Sequence, residues 1–139
     1  MPTVRASSVL VSVFLAAWLG IAPVSPAATV QVQVKDNFFD ADNNPATPVD
    51  TVGIHVGDTV QWVRAGFNPH TVTSGAGVPD GIFNGQIDST HATFSHTFNE
   101  LGTFIYYCVI HGFSMRGTVA VTPVLPEEAD FGDAPDDAA

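Results

Sequence analysis

From Thr29 to Val34 the chain reads Thr-Val-Gln-Val-Gln-Val, with apolar and polar side chains in strict alternation. Successive side chains of a strand point to opposite faces, so this run fits a strand with one dry and one wet face. Comparable runs rich in β-branched and aromatic residues return at 49–56, 59–64, 70–74, 93–98, 103–108 and 116–122. Turn and loop signals separate them. Residues 36–48 are dense in Asn, Asp and Pro, Gly57-Asp58 marks a tight turn, and 75–90 is long and irregular. No stretch combines a helical period with helix caps. Short strands at this spacing predict an all-β fold, a sandwich or barrel.

The two ends read differently. Arg5 is the only charge in the first 28 residues, and the apolar run from Val9 to Leu19 follows it. Small residues then stand at Ser25, Ala27 and Ala28. A charged start, a short apolar stretch and a small-residue site make an export signal, expected to be cut after Ala27 or Ala28. The run is shorter than the ~20 residues of a spanning helix, which disfavours a retained anchor. The expected organisation is a signal peptide at 1–28, a folded domain at 29–123 and an acidic flexible tail at 124–139. The expected location is periplasmic or extracellular.

Losing the signal removes one basic residue and no acids, leaving three basic and 14 acidic residues, a net of −11. Six of the acids lie in the last thirteen residues, so the body still carries −5. Such a surface disfavours nucleic acid and anionic lipid, and any charge-steered protein partner should present a basic face.

Cys108 is the only cysteine, so no internal disulfide can form. A lone thiol in an oxidising compartment is reactive, cross-linked or metal-bound. Its neighbours point to the last. The segment Cys108-Val109-Ile110-His111-Gly112-Phe113-Ser114-Met115 places a thiol, an imidazole and a thioether within eight residues, where an aromatic strand ends. Soft and borderline donors of these types suit copper. His70 is the best remaining donor. It opens a strand and shares parity with apolar Val72, so it should point inward at one end of the fold. One thiolate, two imidazoles and a distant thioether accept both Cu(II) and Cu(I) with little rearrangement.

In this order the motifs resemble the blue-copper (cupredoxin) family, of the plastocyanin and pseudoazurin type. The resemblance rests on Val56-Gly57-Asp58-Thr59-Val60-Gln61-Trp62, on Pro69-His70-Thr71-Val72, on Phe98 to Cys108, and on Met115-Arg116-Gly117-Thr118-Val119. It implies a Greek-key β-sandwich or barrel of seven to eight strands. It also implies one copper ion cycling Cu(II)/Cu(I), with His70, Cys108 and His111 as equatorial ligands and Met115 as the axial one. Three residues separate His111 from Met115, where family loops commonly hold two or four. Thr71 stands where many members have Asn, whose side chain clamps the two ligand loops together. The implied role is a monomeric one-electron carrier, not an enzyme, serving a redox protein partner through the exposed edge of His111.

The remaining histidines carry less. His55 alternates with Ile54 and Val56 and should face solvent, His91 lies in a loop, and His96 leans toward the core beside Phe94 and Phe98. Phe113 should either line an exposed docking rim or close over the metal as a lid. A copper oxidase would need further His-rich sites, which five histidines without a His-x-His pair do not supply. Copper storage or delivery would call for methionine clusters, and only Met1 and Met115 exist. The tail motif Asp130-Phe131-Gly132-Asp133-Ala134-Pro135-Asp136 resembles junctions in large secreted bacterial proteins. A copper module of such a protein is therefore a further alternative.

Overall fold

A computed structural model describes residues 25–47 and 49–125. Most of the expected signal segment and of the acidic tail, including the junction-like motif, lies outside the described residues. Among the described residues no helix is long and apolar enough to cross a membrane. The strands are β1 (Thr29–Val34), β2 (Phe39–Asp40), β3 (Thr51–His55), β4 (Thr59–Arg64), β5 (His70–Ser74), β6 (Asn84–Ile87), β7 (Thr93–Thr97), β8 (Gly102–Cys108) and β9 (Gly112–Thr122). They form two sheets, ordered β2-β1-β4-β7 and β3-β9-β8-β5-β6.

The alternation in the sequence becomes the core. Val32 and Val34 of β1, Val60 and Trp62 of β4, Val52 and Ile54 of β3, and Val119 and Val121 of β9 are all buried in one cluster. Their intervening neighbours on the same strands are partly or fully exposed. β1 pairs in parallel with β4, and β3 with β9. Parallel neighbours need a long crossover. Here the other sheet supplies it: the chain leaves β1, forms β3 opposite, and returns as β4. Trp62 fills the centre, with ring centroids 5.1 Å from Tyr106, 5.5 Å from Phe83 and 5.7 Å from Phe94.

The structure corrects the expectation of seven to eight strands. Nine are present among the described residues, because β2 and β6 arise in stretches that read as loops. Only Ile87 gives β6 an apolar signal that pairing can bury, and its partner β5 organises it. β9 starts at Gly112, four residues before the expected start, so Met115 lies on a strand and not in a loop. The cause is a register shift. Tyr107 faces Arg116, whereas Cys108 faces Gly112, so the chain turns back tightly after the cysteine. Gly112 has φ 68°, a conformation that glycine adopts without a side-chain penalty. Gly117 is needed for space, since a Cβ there would run into the Tyr106 hydroxyl.

One buried carboxylate closes the end opposite the cysteine. Asp58 accepts from the amides of Ala28 at 2.7 Å and His55 at 2.8 Å. These two bonds, that from Ala28 foremost, hold its carboxyl below the usual 3.8 despite burial. The Asp40 carboxyl is likewise lowered, chiefly by its 2.6 Å bond from Lys35. Groups that bind protons more weakly when folded contribute stability above their unfolded pKa and lose it as pH falls through the folded value. Unfolding free energy should therefore stay nearly flat from pH 7 to about 5 and drop below about pH 4. Denaturant midpoints across that range check this, and Asp58→Asn should flatten part of the acid slope.

Candidate metal centre

Three strands and one turn assemble the site. His70 opens β5, Cys108 closes β8, His111 lies in the turn between β8 and β9, and Met115 lies on β9. Cys108 Sγ stands 3.8 Å from Nδ1 of His70 and 3.4 Å from Nδ1 of His111. One donor atom from each of these three residues lies within 4.8 Å of the others. The His70 and His111 rings are 4.8 Å apart, inclined by 35°. Met115 is buried in the same core cluster as Cys108.

These distances test whether a metal fits. A first-row divalent ion holds nitrogen at about 2.0 Å and sulfur at about 2.3 Å. Tetrahedral or trigonal angles between such bonds give an S···N edge of about 3.5–3.7 Å. The two observed separations bracket that value, so the donor set fits an ion held between the thiol and the two rings. Polarity favours the same conclusion. Cys108 is fully buried and His70 is 2% exposed, with its Nδ1 turned toward the sulfur. Burial, and after it His111, holds the His70 imidazole below its usual pKa. The ring is therefore neutral at physiological pH, with a lone pair available as metal ligation requires. A buried imidazole and thiol without strong partners are costly, and a cation between them offsets that cost.

The surroundings fix the thiol. The Thr71 amide donates to Cys108 Sγ at 3.4 Å. The Val109 amide donates to Thr71 Oγ1 at 2.9 Å, so the threonine hydroxyl joins the His70 strand to the cysteine loop. Thr71 thus occupies the clamp position expected from the sequence. Thr73 and Asn84 continue the same polar line and carry no sequence signal, because only strand register brings them together.

His111 is only half-buried, unlike His70. Around it Val109, Ile110 and Phe113 are exposed. Phe113 is 39% exposed, packs edge-on against Tyr107, and carries the Arg116 guanidinium 4.7 Å over its ring. It is therefore rim and not lid. His55 and His91 are exposed beside Asp58 and Asp88. His96 packs between Phe83 and Phe98 and ligates nothing in the cluster. A second group without a motif in the sequence, Asp40, Asp42 and Asp50, gathers carboxylate oxygens within 4.8 Å. Lys35 and the Ala41 amide already engage two of its members.

A two-sheet β-sandwich with a thiol and two imidazoles converging at one end defines a mononuclear, soft-donor metal protein. The comparisons make this specific. Residues 30–122 match the family described as copper binding proteins, plastocyanin/azurin family. The chain belongs to that family, and its cofactor is a copper ion. Amicyanin from Paracoccus versutus is 39% identical over 71 residues, covering 50% of this chain and 53% of that protein. The match thus spans about half the length of that relative. Amicyanin-alpha from Methylorubrum extorquens is 33% identical over 99 residues, 70% of this chain and 75% of its own length. Among solved structures, a purple cupredoxin from Nitrosopumilus maritimus superimposes with a TM-score of 0.54 at 29% identity, covering 67% of this chain and 99% of that one. A reduced amicyanin variant gives a TM-score of 0.52 at 33% identity, over 73% of this chain and 88% of that one.

Proposed function

We propose that the protein is an exported type 1 copper protein that carries one electron at a time and is not an enzyme. The observation that carries this is the convergence of Cys108 Sγ with Nδ1 of His70 and of His111 beneath a half-exposed ring. In this reading those three residues are the equatorial ligands and Met115 is the axial one. Bound copper supplies a one-electron Cu(II)/Cu(I) couple.

The chain's own residues do the rest. β5, β8 and β9 hold the donors in place, so a change of oxidation state requires little movement. Thr71 holds the thiolate through its amide and the cysteine loop through its hydroxyl. Burial of Cys108, His70 and Met115 keeps water from the donors on the protein side. The exposed edge of His111 is then the shortest route for an electron to leave. The apolar rim of Val109, Ile110 and Phe113 would dock a redox partner there, and the acidic body would steer one with a basic face. The protein acts as a monomer.

Export is supported by the fold's start. Among the described residues, Ala28 is the first hydrogen-bonded to the sandwich, by its amide to Asp58 and its carbonyl to Thr59 at 2.8 Å. Residues 29–123 then stand as the mature copper domain and 124–139 as its acidic tail. Sequencing the N-terminus of secreted protein should find Ala28 or Thr29. An uncut chain would sink this part. Titrating the copper-loaded protein with a one-electron reductant should consume one equivalent and be reversible with a redox protein. Copper binding without electron exchange would favour storage or delivery instead.

A further inference from the structure

A line of hydrogen bonds leaves the cysteine loop and crosses the sheet away from the ligands. The Val109 amide donates to Thr71 Oγ1 at 2.9 Å. Thr73 Oγ1 donates to Thr71 Oγ1 at 3.0 Å. Thr73 Oγ1 is 2.9 Å from Oδ1 of Asn84, its direct cross-strand neighbour on β6. Thr73 is 2% exposed, Thr71 is half-buried, and Asn84 is exposed.

The Thr73 hydroxyl is the donor on both sides, to Thr71 Oγ1 and to Asn84 Oδ1, and its single proton serves one of them at a time. Thr71 Oγ1 accepts from the Val109 amide, and from Thr73 when the proton lies that way. Hydrogen bonds in a line polarise one another, so each strengthens the next.

We propose that Thr73 and Asn84 are positioning residues for the copper thiolate. They fix the Thr71 hydroxyl with its acceptor side toward Val109, and so hold the residue after Cys108 against β5. The Thr71 amide then stays aligned on Sγ. Thr71 alone, with one rotatable hydroxyl, could turn its proton toward the Val109 amide and lose that bond; the Thr73 hydroxyl donating to Thr71 Oγ1 keeps that oxygen an acceptor. The amide-geometry part stands on the hydrogen bonds alone, and the effect on copper rests on the ligand assignment proposed above.

The test is Thr73→Val, which keeps shape and removes the hydroxyl, with Thr73→Ser and Asn84→Asp as variants that keep the donor or the acceptor. In copper-free protein, Thr73→Val should speed hydrogen exchange at the Val109 amide by about tenfold, the scale of one net hydrogen bond. The core amide of Val119 is the control and should change far less. In copper-loaded protein the same variant should shift the thiolate-to-copper absorption and lower the reduction potential, since a thiolate that loses a donor gives more charge to Cu(II). Thr73→Ser and Asn84→Asp should stay near wild type in both measurements. Unchanged Val109 exchange in Thr73→Val overturns the proposal. So does equal acceleration at Val119, because the hydroxyl would then serve the fold as a whole. If wild-type protein shows no thiolate-to-copper band, the copper reading fails, while the exchange result still decides whether the relay holds the loop.

Discussion

Cys108→Ser should leave the copper-loaded protein without its intense visible absorption and weaken copper binding by more than about 100-fold. Loss of an outer partner of a metal ligand already costs about 10–100-fold, and this change removes a proposed ligand itself. The absorption needs sulfur electrons shared with Cu(II). A serine hydroxyl is harder and remains protonated at neutral pH, so it gives neither the band nor the soft bond that stabilises Cu(I). The side chain is fully buried, with two imidazole nitrogens and one amide facing it, and the Met115 thioether, being neutral, cannot replace a thiolate. Met115→Gln is the contrasting variant. It keeps the thiolate, so colour should persist, while the potential falls as an amide oxygen replaces the thioether. Absorption spectra and redox titration check both. A blue Cys108→Ser protein would refute the ligand set, and an unchanged potential in Met115→Gln would remove Met115 from the axial position.

Trp62→Ala should destabilise the fold by about 3–5 kcal/mol, the usual range for truncating a large buried aromatic. Trp62 is fully buried and touches aromatic residues from both sheets: Phe94 on its own, and Tyr106 across the interface. Phe83, which leads into β6, packs on it as well. No neighbour can collapse into the space without breaking another aromatic pair. For a domain of this size the melting temperature should fall by at least about 12 °C. Thermal and denaturant unfolding of the copper-free protein measure this without interference from the metal. A loss below about 1 kcal/mol would mean that the core repacks readily. Because β8 carries both Tyr106 and Cys108, the damage should reach the metal end as weaker copper binding.

The strands that bury one full face were legible along the chain. In β1, β3, β4 and β9 every second residue is apolar, and the register of the sandwich follows from that period. β2 and β6 were not legible. Each is held by its partner strand and has too few apolar residues for a periodic signal. The start of β9 was misplaced for a related reason. The irregular pairing after Tyr107 is a property of two strands together and leaves no mark in either alone. Phe113 could not be assigned to rim or lid from its neighbours in sequence, because Tyr107 and Arg116 decide its orientation.

The proposed donor set stands out along the chain because it is chemically rare. One cysteine, a histidine and a methionine fall within eight residues, and His70 begins a strand in the right parity. Sequence by itself determined which atoms could bind a soft metal and that the fold is built of strands, since donor chemistry and side-chain period are local properties. Tertiary structure alone decided that His70, 38 residues before Cys108, arrives 3.8 Å from its sulfur. It also decided that Thr71 reaches the Val109 amide, and that His111 keeps an open edge while His70 is sealed. Those facts depend on how two sheets register and pack, and no local stretch of the chain contains that information.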